Sequence, residues 1–559
     1  MKLSEIEYKR PDKDEVIKEL ISITEKFAAA PNAEEQLELY NRYTSVQENL
    51  GTMASLAYIR FTLDTEDEFY VAENDYYDEN FPVFEKYGVE FMKKMLSSPF
   101  RPQLEKKLSP LIFKNYEIAL KSFSDSIITE MQEENRLSTE YKKLLSSARI
   151  EFNGEKLNIP QLGKYKESLD RDIRKSAFSA QGLWMEQNSA QFDDIFDKMV
   201  RVRTEAAQKM GYKNYVELGY YKMGRNCYSQ NDIASFREQV LKSWVPFVCE
   251  IKKKQAKDLG VDKLMLYDDT IWLKNGNPEP IGTPEKIFEN GREMYEDMSG
   301  ATGKFINFML EHELFDVLAR PKKSGGGYCT ELSSFKMPFI FANFNGTYGD
   351  VDVLTHEAGH AYASYEAMNN IPLSELRQGG METCEVHSMS MEFFAWKYMN
   401  KFFGDRADDY RYMHLSNAVS FIPYGTMVDY FQQLVYENYD MTPKMRNDLW
   451  LELENSFRPY LSSIGIEYIE KGTRWQYQSH IFERPFYYID YCLAQYVSFC
   501  FLEQMHKDYK TAFDNYTEFL KKGGSKTFVE LVKDAGFASP FETGSLENLA
   551  VNLKKLFYR

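Results

Sequence analysis

The sequence predicts a mostly α-helical protein. Three observations carry the prediction. Apolar residues recur with a 3.6-residue period over long stretches, few segments read as strand, and no fixed-period repeat or low-complexity tract interrupts the pattern. With 559 residues, 43% of them hydrophobic, the chain exceeds one ordinary core, so two or more domains or subdomains are expected.

Residues 12–30 place Val16, Ile17, Leu20, Ile21, Ile23 and Phe27 on one helical stripe. The same period runs over 34–63, 66–96, 108–135 and 139–147. Asn153-Gly154 then separates Ile150-Glu151-Phe152 from Leu157-Asn158-Ile159, which predicts a hairpin closed by a type I′ turn. Helix is expected again over 162–210 and 232–259. Residues 262–284 are rich in Gly, Pro, Asn and Asp and read as irregular structure leading into a helix Pro284–Met298. No Pro/Ser-rich linker marks a boundary. A soft one is placed at 190–200, dividing an N-terminal helical lobe, 1–195, from a second lobe, 196–559.

Between Gly325 and Thr347 the pattern is non-helical. Gly325-Gly326-Gly327 frees the backbone, and Met337-Pro338-Phe339-Ile340-Phe341 is strand-like. Pro338 lacks a ladder donor, so this strand is expected at a sheet edge. It serves either to pair with an extended peptide or as a plain structural hairpin.

Composition excludes several classes of function. The formal net charge of −17 disfavours a nucleic-acid partner and an anionic membrane surface. Aromatic residues reach 15%, a richness that reads first as core packing. The cysteines Cys227, Cys249, Cys329, Cys384, Cys492 and Cys500 form no C-x-x-C pair and are expected as free thiols in a reducing compartment. Cys384 neighbours a candidate ligand but reads more simply as a small buried hydrophobe. The N-terminus has no apolar signal-peptide core and no apolar run reaches about 18 residues, so a cytoplasmic protein is expected.

The chemistry concentrates at His356-Glu357-Ala358-Gly359-His360. On a helix the two imidazoles share a face about 6 Å apart along the axis, close enough for one metal at about 2.0–2.1 Å from each ring. Glu357 lies beside the first ligand, where it can act on water without ligating. Only seven histidines occur in the chain, so a chance match is rare. Asp350 is a candidate cap for this helix. Gly359 costs helix stability unless something approaches closely.

A catalytic zinc keeps three protein ligands and an open position. The downstream carboxylates are Glu366, Glu375, Glu382, Glu385 and Glu392, with Glu366 too near to fold back. After the Gln378-Gly379-Gly380 turn a second helix begins near Met381. Glu385, Ser388, Met389 and Glu392 fall on one of its faces. Two carboxylates on a semi-apolar face need partners, and a metal for one and a histidine N–H for the other would satisfy both. Residue patterning does not choose between Glu382 and Glu385 as ligand. His387 falls on the opposite side. Further along, His480 precedes Pro485-Phe486-Tyr487-Tyr488, with Pro485 expected in the first turn of a helix that puts Tyr488 and Tyr491 on one face. Phenols and an imidazole are suitable donors to an oxyanion.

These motifs resemble the thimet oligopeptidase and oligoendopeptidase F family of zinc metallopeptidases, most closely its bacterial oligoendopeptidase F branch. The resemblance rests on His356 to His360 and on Glu385 to Glu392. It extends to Gly326–Thr347, to His480 with Phe486, Tyr487, Tyr488 and Tyr491, and to Tyr516-x-x-Phe519-Leu520-x-x-Gly523-Gly524. It covers the chain well from about residue 320 onward. Before that it lies mainly in helical character and the Asn153-Gly154 hairpin. It implies a two-lobed helical zincin-type body with a deep substrate channel and a small β-sheet next to the HExxH helix. It makes His356, His360 and Glu385 the ligands of one zinc per chain, Glu357 the general base, and Glu392 the carboxylate that orients a ligand. His480, Tyr488 and Tyr491 match the groups that position substrate and stabilise the tetrahedral intermediate. Glu483-Arg484-Pro485 stands where the thimet-type enzymes carry a glycine-rich run, and the spacing from His480 to Tyr488 is one residue shorter. Tyr487 therefore remains a competitor.

The implied function is a zinc-dependent endopeptidase that hydrolyses intracellular oligopeptides through a zinc-activated water, with no nucleic-acid or membrane partner. The alternatives are a dipeptidyl exopeptidase on the same fold and a catalytically silent peptide-binding scaffold.

Overall fold

Oxygen-bearing side chains cap the first three α-helices. Asp12 accepts the Glu15 amide ahead of Lys13–Ala29. Asn32 accepts the Glu34 and Glu35 amides ahead of Ala33–Leu63, and Asp67 those of Phe69 and Tyr70 ahead of Glu68–Leu96. The computed structural model describes residues 1–557 and is 72% helical, as the periodicity predicts. No helix among the described residues is long and apolar enough to cross a membrane.

The chain forms two compact units, each built from three stretches. Unit 1 comprises Met1–Leu120, Glu279–Ala407 and Val497–Phe537; unit 2 comprises Lys121–Pro278, Asp408–Tyr496 and Ala538–Arg559. The expected cut at 195–196 falls inside the continuous helix Arg171–Lys209, where main-chain hydrogen bonds run straight through it. The break expected between 135 and 139 lies earlier. Pro110–Ser122 and Ile128–Ser146 are separated at Ser124, whose hydroxyl accepts the Ser126 amide and offers the backbone a non-helical bond.

The Asn153-Gly154 hairpin forms as predicted. β1 (Ile150–Phe152) pairs antiparallel with β2 (Glu155–Leu157), and both turn residues have positive φ, 52° and 78°. A second sheet, in unit 1, holds β3 (Phe315–Leu318), β4 (Tyr328–Leu332) and β5 (Met337–Phe344) in the order β3-β5-β4. The strand carrying Pro338 is therefore central, not an edge. Its pairing explains the exception. The Ile340 amide donates to Leu314 on the β3 side, so the donor that Pro338 lacks, two residues back, points past the start of β3 at Phe315. The edges belong to β3 and β4, each of which pairs only with β5 among the described residues.

In unit 1 the first three helices bury Leu20, Phe27, Tyr40, Tyr43 and Phe91 together with Ala367 and Ile371 from the end of the HExxH helix. The core of unit 2 is aromatic. Tyr141 stacks on Phe482 at 4.0 Å, and Phe196, Trp475 and Phe482 pack together. None of the six cysteines is in a disulfide.

Candidate metal centre

The HExxH helix spans Tyr348–Asn370 and follows directly on β5. Thr347, not Asp350, occupies the cap position. The buried Asp350 carboxylate instead reaches back to accept the amides of Asn345 and Gly346, at 2.9 and 2.6 Å, and so pins the strand-to-helix turn from inside the first helical turn. The next helix, Met381–Phe394, crosses close behind it. Gly359 allows this: a Cβ there would stand 2.7 Å from Ser388 Cα and 2.8 Å from the His387 carbonyl oxygen. The helix cost of a glycine is thus offset by backbone contact.

Contact at Gly359 brings three donor atoms together. His356 Nε2 and His360 Nε2 lie 3.5 and 3.7 Å from Glu385 Oε2, with the two rings 81° apart. The three ligand atoms all fall within 4.8 Å of one another. Donors around a tetrahedral zinc, about 2.0–2.1 Å from it, are about 3.3 Å apart, so the set is close to metal-binding spacing. Glu385 is 5% exposed, whereas His356 and His360 keep 27% and 22%, leaving one side of the cluster open. Ser388 Oγ donates to Glu385 Oε2 at 3.1 Å and holds the carboxylate in place.

His356 Nδ1 donates to Glu392 Oε1 at 2.7 Å, which leaves Nε2 as the lone-pair nitrogen directed to the cluster. Burial alone would lower the His356 pKa, yet the neighbouring Glu385 and Glu392 carboxylates outweigh it and raise the pKa well above the usual value. Burial wins at His360, whose pKa falls to about 4, as suits a neutral ligand. The cluster therefore favours a positive charge at this spot, which a cation supplies as well as a proton does. Replacing Glu392 by Ala is expected to weaken zinc affinity about 10- to 100-fold by freeing the His356 ring. A chelator competition titration that matches wild type would remove Glu392 from that role.

Glu357 lies next in line. Its Oε1 is 3.8 Å from where a Cβ on Gly327 would be, so the carboxylate faces the loop that opens β4. Burial pushes its pKa up to about 7, with His356 opposing. A carboxylate of raised basicity suits proton transfer near neutral pH.

Of the two candidate carboxylates, Glu385 lies in the cluster with His356 and His360. Glu382 folds against Gly380, where a Cβ would meet its Oε1 at 2.5 Å, and does not join the cluster. Glu375 lies elsewhere, accepting the hydroxyls of Tyr40 and Tyr116. Glu366 binds the Asn370 side chain. His387 is buried with its ring against Phe519 and its carbonyl accepting the Tyr516 hydroxyl.

The aromatic residues gather in unit 2. His480 lies on the short helix Ser479–Glu483, and Tyr488 starts the helix Tyr488–Lys507. His480 is 4.8 Å from Tyr488, 5.9 Å from Tyr487 and 6.1 Å from Tyr491 by ring centroids, and Tyr488 and Tyr491 are 5.8 Å apart. Tyr487 is buried at 6% exposure, whereas Tyr488 and Tyr491 are half-buried. Pro485 does not open that helix. Phe486 intervenes with φ of +67°, an uncommon conformation for a bulky residue. Three contacts hold it. Its ring fills a slot where a Cβ on Gly219 would come within 2.6 Å, its amide donates to Gln432, and its carbonyl accepts from the buried guanidinium of Arg225, which also pairs with Asp490 at 3.0 Å. Of this region only the run of aromatics is legible in the sequence. Gly219, Arg225 and Gln432 carry no local signal.

A helical body that carries HExxH on one helix and a converging glutamate on the next, beside a small sheet, defines a zincin-type metallopeptidase. Two family models match, the Peptidase M3 N-terminal domain over residues 3–123 and Peptidase family M3 over residues 303–551. The chain belongs to peptidase family M3. It is 22% identical to oligopeptidase PepF of Bacillus subtilis over 93% of its own length and 80% of that protein's. Among solved structures it is similar to an oligoendopeptidase F, with a TM-score of 0.94 and 42% identity, and to PZ peptidase A crystallised with an inhibitor, with a TM-score of 0.94 and 43% identity. Each covers 100% of this chain and 99% of the other. The chain is thus a peptidase of the kind that cleaves oligopeptides.

Proposed function

We propose that this protein is a zinc-dependent oligoendopeptidase, with His356, His360 and Glu385 as ligands, Glu357 as general base and Glu392 orienting His356. The observation that carries the reading is the convergence of the three donor atoms with Glu357 alongside. Zinc bound there supplies Lewis-acid chemistry, acidifying water and polarising the scissile carbonyl. Glu357 accepts a proton from the attacking water and returns it to the leaving amine. His480, Tyr488 and Tyr491 donate hydrogen bonds to the oxygen that gains charge, and Tyr488 and Tyr491 suit this better than Tyr487 because they retain exposure. The unpaired edge of β4 is the main-chain surface we assign to an extended substrate.

A series of internally quenched peptides of increasing length, digested with and without a chelator and read by mass spectrometry, tests this. Internal cleavage abolished by the chelator and restored by zinc is expected. Uniform release of terminal dipeptides would establish the exopeptidase instead, and chelator-insensitive binding without cleavage would establish the scaffold.

A further inference from the structure

His480 has two ring nitrogens, and which of them carries the proton decides whether the ring offers a donor or a lone pair. Gln478 Nε2 lies 3.0 Å from His480 Nδ1. An amide nitrogen only donates, so Nδ1 must accept, and the neutral ring then carries its proton on Nε2. The other end of the same amide is also occupied. The Tyr424 hydroxyl donates to Gln478 Oε1 at 2.7 Å.

The arrangement would invert if Tyr424 accepted rather than donated and the amide turned over. Two cations oppose that. The guanidinium carbons of Arg474 and Arg458 sit 4.9 and 5.1 Å from the Tyr424 ring centroid. Positive charge over the ring face withdraws density from the phenol and makes its hydroxyl a better donor than acceptor. Both cations are anchored. Arg474 and Arg458 pair with Glu454 at 2.9 and 3.2 Å, and Arg458 also pairs with Asp269, which holds buried Lys252.

We infer that Gln478 is a positioning residue that holds His480 in its Nε2–H form, with Tyr424 fixing the amide's orientation. This rests on the donor role given to His480 above. A ring of the opposite tautomer would face a developing oxyanion with a lone pair and repel it. The residue acts through His480 and touches no reacting atom itself.

The test is Gln478→Glu in the zinc-loaded full chain. A carboxylate is the same shape but accepts only, so it draws the ring proton to Nδ1. Heteronuclear NMR of histidine-labelled protein is expected to show His480 as Nε2–H in wild type and Nδ1–H in the variant. kcat should fall about 10²- to 10³-fold with KM within about twofold and zinc content unchanged, the size expected for one lost oxyanion donor. In a His480→Ala background the added Gln478→Glu change should have no further effect. A persisting effect would mean that the new charge acts directly and not through the ring. An Nδ1–H ring in wild type, or wild-type kcat in Gln478→Glu while His480→Ala is slow, overturns the inference. If His480→Ala is itself as fast as wild type, the donor role of His480 fails, and the NMR result alone decides what Gln478 does to the ring. Should Gln478→Glu fold poorly, Tyr424→Phe provides a milder version. A mixture of both tautomers and a smaller fall in kcat support the inference, and an unchanged single tautomer overturns it.

Discussion

Glu357→Gln is expected to leave zinc content near one per chain while lowering kcat/KM for a quenched oligopeptide by about 10²- to 10⁴-fold, the span of general acid–base catalysis. A thousandfold loss corresponds to about 4 kcal/mol of transition-state stabilisation. The substitution separates base from ligand because Gln keeps the shape and removes only the basicity. The cluster of His356, His360 and Glu385 does not include Glu357, so metal retention should be unaffected. Steric disturbance is not expected either, since the side chain faces a glycine, Gly327, with ordinary contact distance to spare. Metal analysis alongside turnover reads both halves. Wild-type turnover would remove Glu357 as the base, and zinc loss would make it a ligand or a structural support.

Much of this centre was legible because it is written at helical spacing. Two histidines four apart, and Glu385 and Glu392 seven apart, each define a face without reference to anything distant. The prediction that one carboxylate would meet the metal position and the other a histidine N–H follows from the cost of burying both, and Glu392 does accept from His356. Features set by non-local pairing were not legible. Pro338 reads as an edge residue by its missing donor, and only the point at which β3 starts shows why a central strand tolerates it. Asp350 reads as a cap because Asp commonly caps, yet its buried carboxylate serves the turn before the helix. Phe486 carries no sign of its left-handed backbone. That conformation is imposed by Gly219, Arg225 and Gln432, more than 50 residues away in sequence. Likewise the division into two units is made by segments that return after long excursions, which no local composition marks.

Gly359→Ala sets two opposed effects against each other, and their sizes decide the outcome. Intrinsic propensity favours the change, since alanine is better than glycine inside a helix by about 1 kcal/mol. Packing opposes it. The new methyl would lie 2.7 Å from Ser388 Cα, 2.8 Å from the His387 carbonyl oxygen and 3.0 Å from Met391 Cβ. Two of these are backbone atoms of the neighbouring helix, so relief requires the two helices to part. Overpacking of this kind costs about 1–3 kcal/mol and more where backbone must move, so the net expectation is a loss of about 1–2 kcal/mol. The separation matters more at the site than to the fold. Glu385 is on that neighbouring helix, and metal–ligand distances tolerate only about 0.2 Å, so zinc affinity should fall at least about tenfold. Gly51→Ala is the control. Gly51 also lies within a helix, Ala33–Leu63, but nothing stands within 4 Å of its missing Cβ, and there propensity should win with a gain of up to about 1 kcal/mol and no change in zinc binding. Thermal unfolding with and without chelator, together with zinc titration of both variants, measures the contrast. A Gly359→Ala protein that unfolds like wild type and binds zinc as tightly would show that the close crossing of the two helices does not hold Glu385 against the histidines.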